Sequence, residues 1–315
     1  MIAAMKSLQV VWPKSGTYIL AVSGGVDSIV LLDLFSKAAL EHSYDLIVAH
    51  FDHAIRPDSH HDAEFVRAKA AMYGYEFHLG ATEDILKNEA GARIARYAFL
   101  NEIAKMNNAD GIITAHHQDD LIETSLLNLA RGSKRVGLAP FASSDLLRPL
   151  MDTPRQLILD YAHEYVITWR EDPTNADISN PRNFIRHTLI PKSPSKWRKE
   201  YLATIDAMSK VNQTIDQAIR SALVQASNDT EFTFDREIIS TLTLDEVAEI
   251  LLAIVRELAP GVELSSRLVQ ELVIFAKIAK PGRIRPIRES LEMAVERDII
   301  KIYAMPSKLS PSLPT

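Results

Sequence analysis

Apolar and polar residues alternate over the first 130 positions in blocks of two kinds. Runs such as "TYILAV" at 17–22, "DLIVAHF" at 45–51, "YEFHL" at 75–79 and "GIITAH" at 111–116 are short and almost continuously apolar, the pattern of strands buried on both faces. Between them, residues 27–41, 59–73, 88–107 and 117–130 read as amphipathic helices. Strand and helix in regular succession predict an α/β fold with a doubly wound parallel sheet. Another helix is expected near 154–165 and a long polar one over about 195–227. Beyond it a small α+β unit from 231 to 304 ends in "RIRPIRESLEMAVERDIIKIYA", which alternates as short strands do. The expected organisation is a main domain over 1–195, a helical linker over 196–230 and a small C-terminal domain over 231–315.

In such sheets ligands lie beyond the carboxyl ends of the strands. The residues expected there are "SGGVDS", "HFDHAIRPDS" and "AHHQDD", and all three are rich in polar groups. "SGGVDS" sits where a strand turns into a helix, so Ser23, Gly24, Gly25, Val26, Asp27 and Ser28 bring backbone amides and the helix dipole to one spot. A pyrophosphate would be held there, with Ser23 and Ser28 as hydroxyl donors and Asp27 available to a magnesium ion. No Walker A pattern occurs in the chain. In "TAHHQDDLIETSLLNLARG", Asp120 and Glu123 share a helical face, with His116 and Asp119 beside them. That set fits either a metal or cationic substrate, or acids that simply favour a helix N-terminus. His50, His53, Arg56, His60 and His61 read as a polar loop leading to a helix capped by Ser59, in preference to a zinc cage.

Composition narrows the choices. With no cysteine, disulfides, thiolate nucleophiles and cysteine zinc sites are excluded, and a reducing cytoplasm is expected; neither a leader nor an apolar run long enough for a membrane span is evident. The net charge is −6, yet residues 131–199 carry 12 basic against 7 acidic side chains. Two stretches, 181–199 and 272–288, are basic and free of acids; they include Arg182 and Arg186 in the first, Lys280, Arg283 and Arg285 in the second. Segregated charge of this kind suits an anionic macromolecule. Arg93, Arg96 and Tyr97 share one face of another predicted helix.

Taken together, "SGGVDS", "HFDHAIRPDS", "ARIARY", "TAHHQDDLIETSLLNLARG", "RPLMDTPRQLILDYAHE" and "EDPTNADISNPRNFIRHTLIP" resemble the tRNA(Ile)-lysidine synthetases of the N-type ATP pyrophosphatase superfamily. "KPGRIRPIRESLEMAVERD" is similar to that family's small C-terminal domain. The resemblance implies an ATP pyrophosphatase catalytic domain and an ATP- and magnesium-dependent ligation. The C2 oxygen of the wobble cytidine in the CAU anticodon of an isoleucine tRNA is adenylated, and free L-lysine then displaces AMP. It implies catalytic roles for Asp27, His116, Asp120 and Glu123, the last two at lysine-binding positions. RNA contacts are implied for Arg93, Arg96, Arg182, Arg186, Lys280, Arg283 and Arg285, in a cytoplasmic protein whose association as a homodimer stays open. Ile94 stands where the family motif carries an acid.

The rival readings are a tRNA-thiolating relative, which relies on cysteines, a GMP or NAD synthetase, which lacks the "EDPTN" segment, a metal-dependent phosphohydrolase, and a non-catalytic tRNA-binding protein.

Overall fold

The computed structural model describes residues 8–52, 59–81, 89–141, 146–171, 177–223, 227–228, 231–259, 262, 264–288 and 291–305. His53 and Arg56 therefore lie outside the described residues, as do positions 172–176 of the "EDPTN" segment and the tail from 306. The chain divides into two compact units, Met1–Ser209 and Lys210–Thr315. The division falls inside one long helix, Ser195–Leu223.

In the first unit, strands β1 (Gly16–Ala21), β2 (Tyr44–Asp52), β3 (Glu76–Ala81), β4 (Gly111–Thr114) and β5 (Leu146–Leu147) form a parallel sheet in the order β3-β2-β1-β4-β5. Helices α1 (Val26–His42), α2 (His60–Tyr73), α3 (Glu89–Met106) and α4 (Gln118–Ala130) follow the first four strands, and a short α5 (Arg135–Leu138) comes after α4. Beyond β5 come α6 (Arg155–Glu164), α7 (Pro181–Phe184), a π-helical turn at Ile185–Leu189, the short α8 (Ile190–Lys192) and the long α9 (Ser195–Leu223).

Alternation along β1 shows why helices cover both faces. Tyr18 and Leu20 enter a core with Leu31, Phe35 and Ile158, whereas Ile19 enters a second core with Ile47, Leu100 and Ile112. Each fully buried aliphatic side chain contributes roughly 1.5–3 kcal/mol of transfer free energy. β3 is an edge strand, and Leu79 on it is exposed. "GIITAH" ends as a strand at Thr114, so His116 lies in the turn after it.

Strand order reverses at β1, with β2 on one side and β4 on the other. Register places Ala21 beside both Ala49 and Thr114. The chain therefore leaves β1 and β4 at one level, while β2 runs on to Asp52 beside β3, and the switch in strand order opens a crevice there.

A buried carboxylate ties the helical layer together behind that point. Asp33 of α1 accepts hydrogen bonds from Lys37 Nζ, Tyr73 Oη of α2 and Tyr161 Oη of α6, each at 2.7 Å. Three donors offset the cost of burying the charge.

The second unit carries an antiparallel sheet in the order β6-β7-β10-β9-β8, from β6 (Ser227–Asn228), β7 (Glu231–Asp235), β8 (Arg283–Arg288), β9 (Leu291–Val295) and β10 (Ile299–Ala304). Helices α10 (Arg236–Thr241), α11 (Leu244–Leu258) and α12 (Ser266–Ile278) complete it. Leu251, Ile254, Leu272, Met293 and Ile302 form its core. Thr243 and Glu246 close a capping box on α11, which stabilises a helix start by about 1 kcal/mol. Among the described residues no helix is long and apolar enough to cross a membrane.

Candidate functional site

After β1 the chain turns through Ser23, Gly24 and Gly25 into α1. Gly24 has φ +95°, and a Cβ there would stand 3.4 Å from Val66 Cγ2, so glycine answers a backbone need. Ser28, from the first turn of the helix, pins the loop. Its Oγ accepts from the amides of Ser23 at 3.2 Å and Gly24 at 3.1 Å and donates to the Gly25 carbonyl at 2.9 Å. The hydroxyl expected to meet a phosphate is thus spent inside the loop, and Ser23 is the exposed one.

Gly25 is different. Its φ is −71°, and the nearest atom to an added Cβ would be Ser23 Oγ at 3.7 Å. Neither backbone nor neighbours require a glycine, so the missing side chain leaves open space over the first amides of α1, which have no intrahelical acceptor. Val26 sends its side chain into the core and has only its amide to offer.

Asp27 stands one step into the helix. His117 Nε2 is 3.6 Å from its Oδ2, and Arg155 Nε, at the head of α6, is 4.0 Å from its Oδ1. Burial alone would push the Asp27 carboxyl up; the His117 contact and the charges of Arg155 and Arg186 outweigh it and hold the pKa below its ordinary value. His117 is 1% exposed and caps α4: its Nδ1 accepts from the Asp120 amide at 3.3 Å, while Asp120 Oδ2 accepts from the His117 amide at 3.0 Å. This reciprocal cap leaves the ring hydrogen on Nε2, directed toward Asp27.

Asp120 and Glu123 converge, and what they converge on is Arg186. The guanidinium donates from Nε to Glu123 Oε1 at 2.7 Å, from Nη2 to Oε2 at 2.8 Å, and from Nη2 to Asp120 Oδ1 at 3.2 Å. Glu123 is completely buried. Burial opposes the charge on Arg186, but Glu123, Asp120 and Asp27 together raise its pKa. Arg186, expected on an RNA backbone, is therefore an internal partner of the two carboxylates. Asp119 points elsewhere, pairing with Arg198 and accepting from the Arg155 amide at 3.2 Å.

Gly25, Asp27 and Asp120 border a cavity of about 350 Å³, lined also by His50, Arg96 and His116. His50 is buried, its Nδ1 donating to the Val22 carbonyl at 2.8 Å. His116 Nδ1 is 2.8 Å from Thr114 Oγ1. Its pKa is pushed down to about 4, first by burial and then by the positive charges of Arg148, Arg96 and Arg93, against the pull of Asp120. The imidazole is neutral at pH 7. Phe141 holds a left-handed backbone, φ 69°, with its ring 5.1 Å from His116 and the Arg148 guanidinium 4.8 Å from its own centre. Bulky residues rarely adopt that conformation away from functional sites.

The remaining predicted residues are scattered. Arg93 and Arg96 both lie over the Tyr97 ring, at 4.9 and 5.0 Å, and Arg96 alone of the two lines the cavity. Ile94, on the same helix, is 70% exposed. Arg182 is half-buried beside the Asn180 cap of α7. Lys280 and Arg283 are exposed on the second unit, where Arg285 pairs with Glu271. Ser59 is the residue before α2, but its hydroxyl donates to Asp52 Oδ2 at 3.0 Å. Among the described residues no three His, Asp or Glu side chains gather as a metal cage.

Sequence reasoning passed over His117 and Arg155, and it read Arg198 only as part of the basic stretch 181–199, whereas it pairs with Asp119. His117 could have been found by noticing that it immediately precedes the first helical residue, where a cap belongs. Arg155 carries no local signal.

Asp27 Oδ1 is buried and makes no hydrogen bond, an acceptor that suits a cation. The amides and open space at Gly25 suit an anion. The loop thus fits a cation-bound phosphate.

Comparison with known proteins agrees with this geometry. The tRNA(Ile)-lysidine synthase of Alkalilimnicola ehrlichii is 38% identical over 203 residues, covering 61% of this chain and 45% of the relative. That of Thermosipho africanus is 40% identical over 182 residues, covering 55% and 43%. The Vibrio cholerae enzyme is 36% identical over 187 residues, covering 57% and 42%. The chain spans less than half the length of these relatives. A U34-tRNA thiolase from Methanococcus maripaludis, solved with its 4Fe–4S cluster, superposes with a TM-score of 0.55 at 18% identity over 66% of this chain and 77% of that one; the likeness is one of fold. The PP-loop domain profile matches residues 2–193, a span that takes in every strand of the parallel sheet and the loop at Ser23–Ser28, and this chain belongs to the PP-loop domain family.

Proposed function

We propose that this chain ligates lysine to C2 of the wobble cytidine in the CAU anticodon of an isoleucine tRNA, through an adenylated tRNA intermediate, with release of pyrophosphate and AMP. What supports the reading is one juxtaposition. A phosphate cradle at Ser23–Asp27 and Asp120 both border the crevice at the switch in strand order, and behind Asp120 the buried Glu123 shares with it the Arg186 guanidinium. The names of the relatives point to the same substrate.

In this reading the Ser23 hydroxyl and the amides of Gly25 and Val26 bind the pyrophosphate portion of ATP, over the turn that Gly24 permits, and Asp27 holds magnesium. ATP supplies the adenylyl group that makes the C2 oxygen of a pyrimidine a leaving group. The cradle orients the phosphates and stabilises charge on them. Asp120, with Glu123 behind it, forms the cation seat for lysine. Carboxylates beside an ammonium favour its charged form, so attack requires a proton acceptor. His116, neutral at pH 7, accepts that proton. Arg96 in the cavity wall, Arg93 on the same helix, Arg182 near α7, and Lys280 and Arg283 of the second unit contact the tRNA backbone. A cytoplasmic location belongs to the same reading.

The test is pyrophosphate release from ATP with magnesium and an isoleucine tRNA transcript bearing CAU, with and without lysine. The expected result is tRNA-dependent release, followed by lysine-dependent AMP and labelled lysine on the RNA. A folded, ATP-binding protein that releases no pyrophosphate with this tRNA would refute the proposal.

A further inference from the structure

We propose that Arg155 is a phosphate-binding residue of the loop, gripping an oxygen of the nucleotide's pyrophosphate group. The proposal rests on the reading of the loop as a nucleotide site and adds to it a residue from a distant part of the chain.

Arg155 opens α6, and its own amide is fixed on Asp119 Oδ1 at 3.2 Å. Its side chain leaves that anchor toward Asp27. There the geometry stops short of an ion pair: Nε and Asp27 Oδ1 are 4.0 Å apart, and both atoms are buried without a hydrogen bond. Charge-assisted bonds between arginine and a carboxylate ordinarily close to about 2.7–2.9 Å. This chain closes them elsewhere, at 2.7 Å between Arg186 and Glu123 and 2.9 Å between Arg170 and Asp62. The Arg155–Asp27 approach is open by more than an ångström, although nothing would cost less than closing it if the two residues existed only for each other.

A third atom has the same character. His117 Nε2, on a ring 1% exposed, also lacks a hydrogen bond and lies 3.6 Å from Asp27 Oδ2. Buried polar groups are nearly always satisfied, and here three unsatisfied ones meet: two donors, from the heads of α4 and α6, flank the unsatisfied carboxylate at the head of α1. Two are donors and one an acceptor. A lone cation would satisfy Asp27 and repel Arg155; a lone anion would do the reverse. A phosphate carrying its cation satisfies all three, with the carboxylate on the cation and the donors on phosphate oxygens.

The chemistry gives such a donor work to do. When the C2 oxygen bonds to the α-phosphorus, the bond to the bridging oxygen breaks and its electron pair passes to the departing pyrophosphate. A guanidinium on that group meets charge as it develops.

Binding of inorganic pyrophosphate with magnesium, followed by calorimetry and by the ligand-induced rise in unfolding temperature, tests this without turnover. Wild-type protein should bind, Arg155→Gln should bind at least tenfold more weakly, and Arg155→Lys should fall between, because a point charge cannot reproduce the fork. Affinity for lysine-free tRNA should be unchanged in both variants. Equal pyrophosphate affinity in wild type and Arg155→Gln overturns the proposal and leaves the nucleotide reading intact. If Arg155→Gln does not fold, Arg155→Lys with wild-type affinity overturns it equally. Wild-type protein that binds neither pyrophosphate nor ATP overturns the nucleotide reading and this proposal together. A purely structural arginine would lower the unliganded unfolding temperature and leave the pyrophosphate-induced rise as it is.

Discussion

Arg186 lies across Glu123 with two parallel hydrogen bonds, 2.7 and 2.8 Å, although 63 residues separate them. The Glu123 side chain is wholly buried and that of Arg186 is 19% exposed, so each is the other's main compensation for leaving water. Removing one partner of such a pair typically costs about 3–5 kcal/mol. Arg186→Ala is expected to destabilise the first unit by that order in urea unfolding, and Glu123→Leu/Arg186→Met to recover part of the loss. A single-variant cost below about 1 kcal/mol would show that the pair is poorly formed.

The two glycines of the loop should behave oppositely. Gly24→Ala forces a side chain into a left-handed backbone and should cost about 1–2 kcal/mol of stability. Gly25→Ala meets no protein atom closer than 3.7 Å, so its unfolding midpoint should match wild type while ATP binding falls at least tenfold. Retained ATP affinity in Gly25→Ala would mean that the space over α1 is not the phosphate cradle.

The serines should separate in the same manner. Ser28→Ala strands two amides that its Oγ now accepts, at a cost of roughly 1–3 kcal/mol, and should weaken ATP binding through a loosened loop. Ser23→Ala should weaken ATP binding with no loss of stability. Thermal melts and nucleotide titrations on both variants decide the matter, and indistinguishable melts would contradict the pinning role of Ser28.

His116 makes stability depend on pH. Its folded pKa of about 4 lies below the ordinary 6.5, so between those values the unfolded chain binds a proton that the folded chain does not. The neutral ring's contribution is fully present above pH 6.5, declines as pH falls and is gone below about 4. Urea midpoints should drop from pH 7 to pH 5, and drop less in His116→Gln. Parallel profiles for the two proteins would place the titration elsewhere.

Asp27→Asn keeps the shape of the loop and removes its charge. Pyrophosphate release should be abolished, with tRNA affinity within about twofold of wild type, as read by filter binding. Asp120→Asn should spare tRNA-dependent pyrophosphate release and raise the lysine concentration needed for AMP formation; an unchanged lysine requirement would remove Asp120 from the cation seat.

Local pattern determined much of this protein. The apolar runs and amphipathic stretches already defined four strands, four helices and a parallel sheet, because burial on both faces leaves a continuous apolar signature. They also placed the polar loops at one rim, since a parallel sheet puts every strand's carboxyl end on the same side. The sequence likewise contained the loop at Ser23–Ser28, because a strand, two glycines and a helix start are contiguous. What it could not contain was pairing across distance. Arg186 looked like part of a basic surface because neighbouring residues are basic, and only the packing of the π-helical turn against α4 turned it onto Glu123. Arg155 looked like an ordinary first residue of a helix until the fold set that helix beside Asp27. Ser28 was legible as a hydroxyl near a phosphate site, yet its hydrogen bonds depend on how tightly the loop closes. Charge and residue type are properties of a position, whereas desolvation and partnership are properties of a neighbourhood, and the tertiary structure alone decides the neighbourhood.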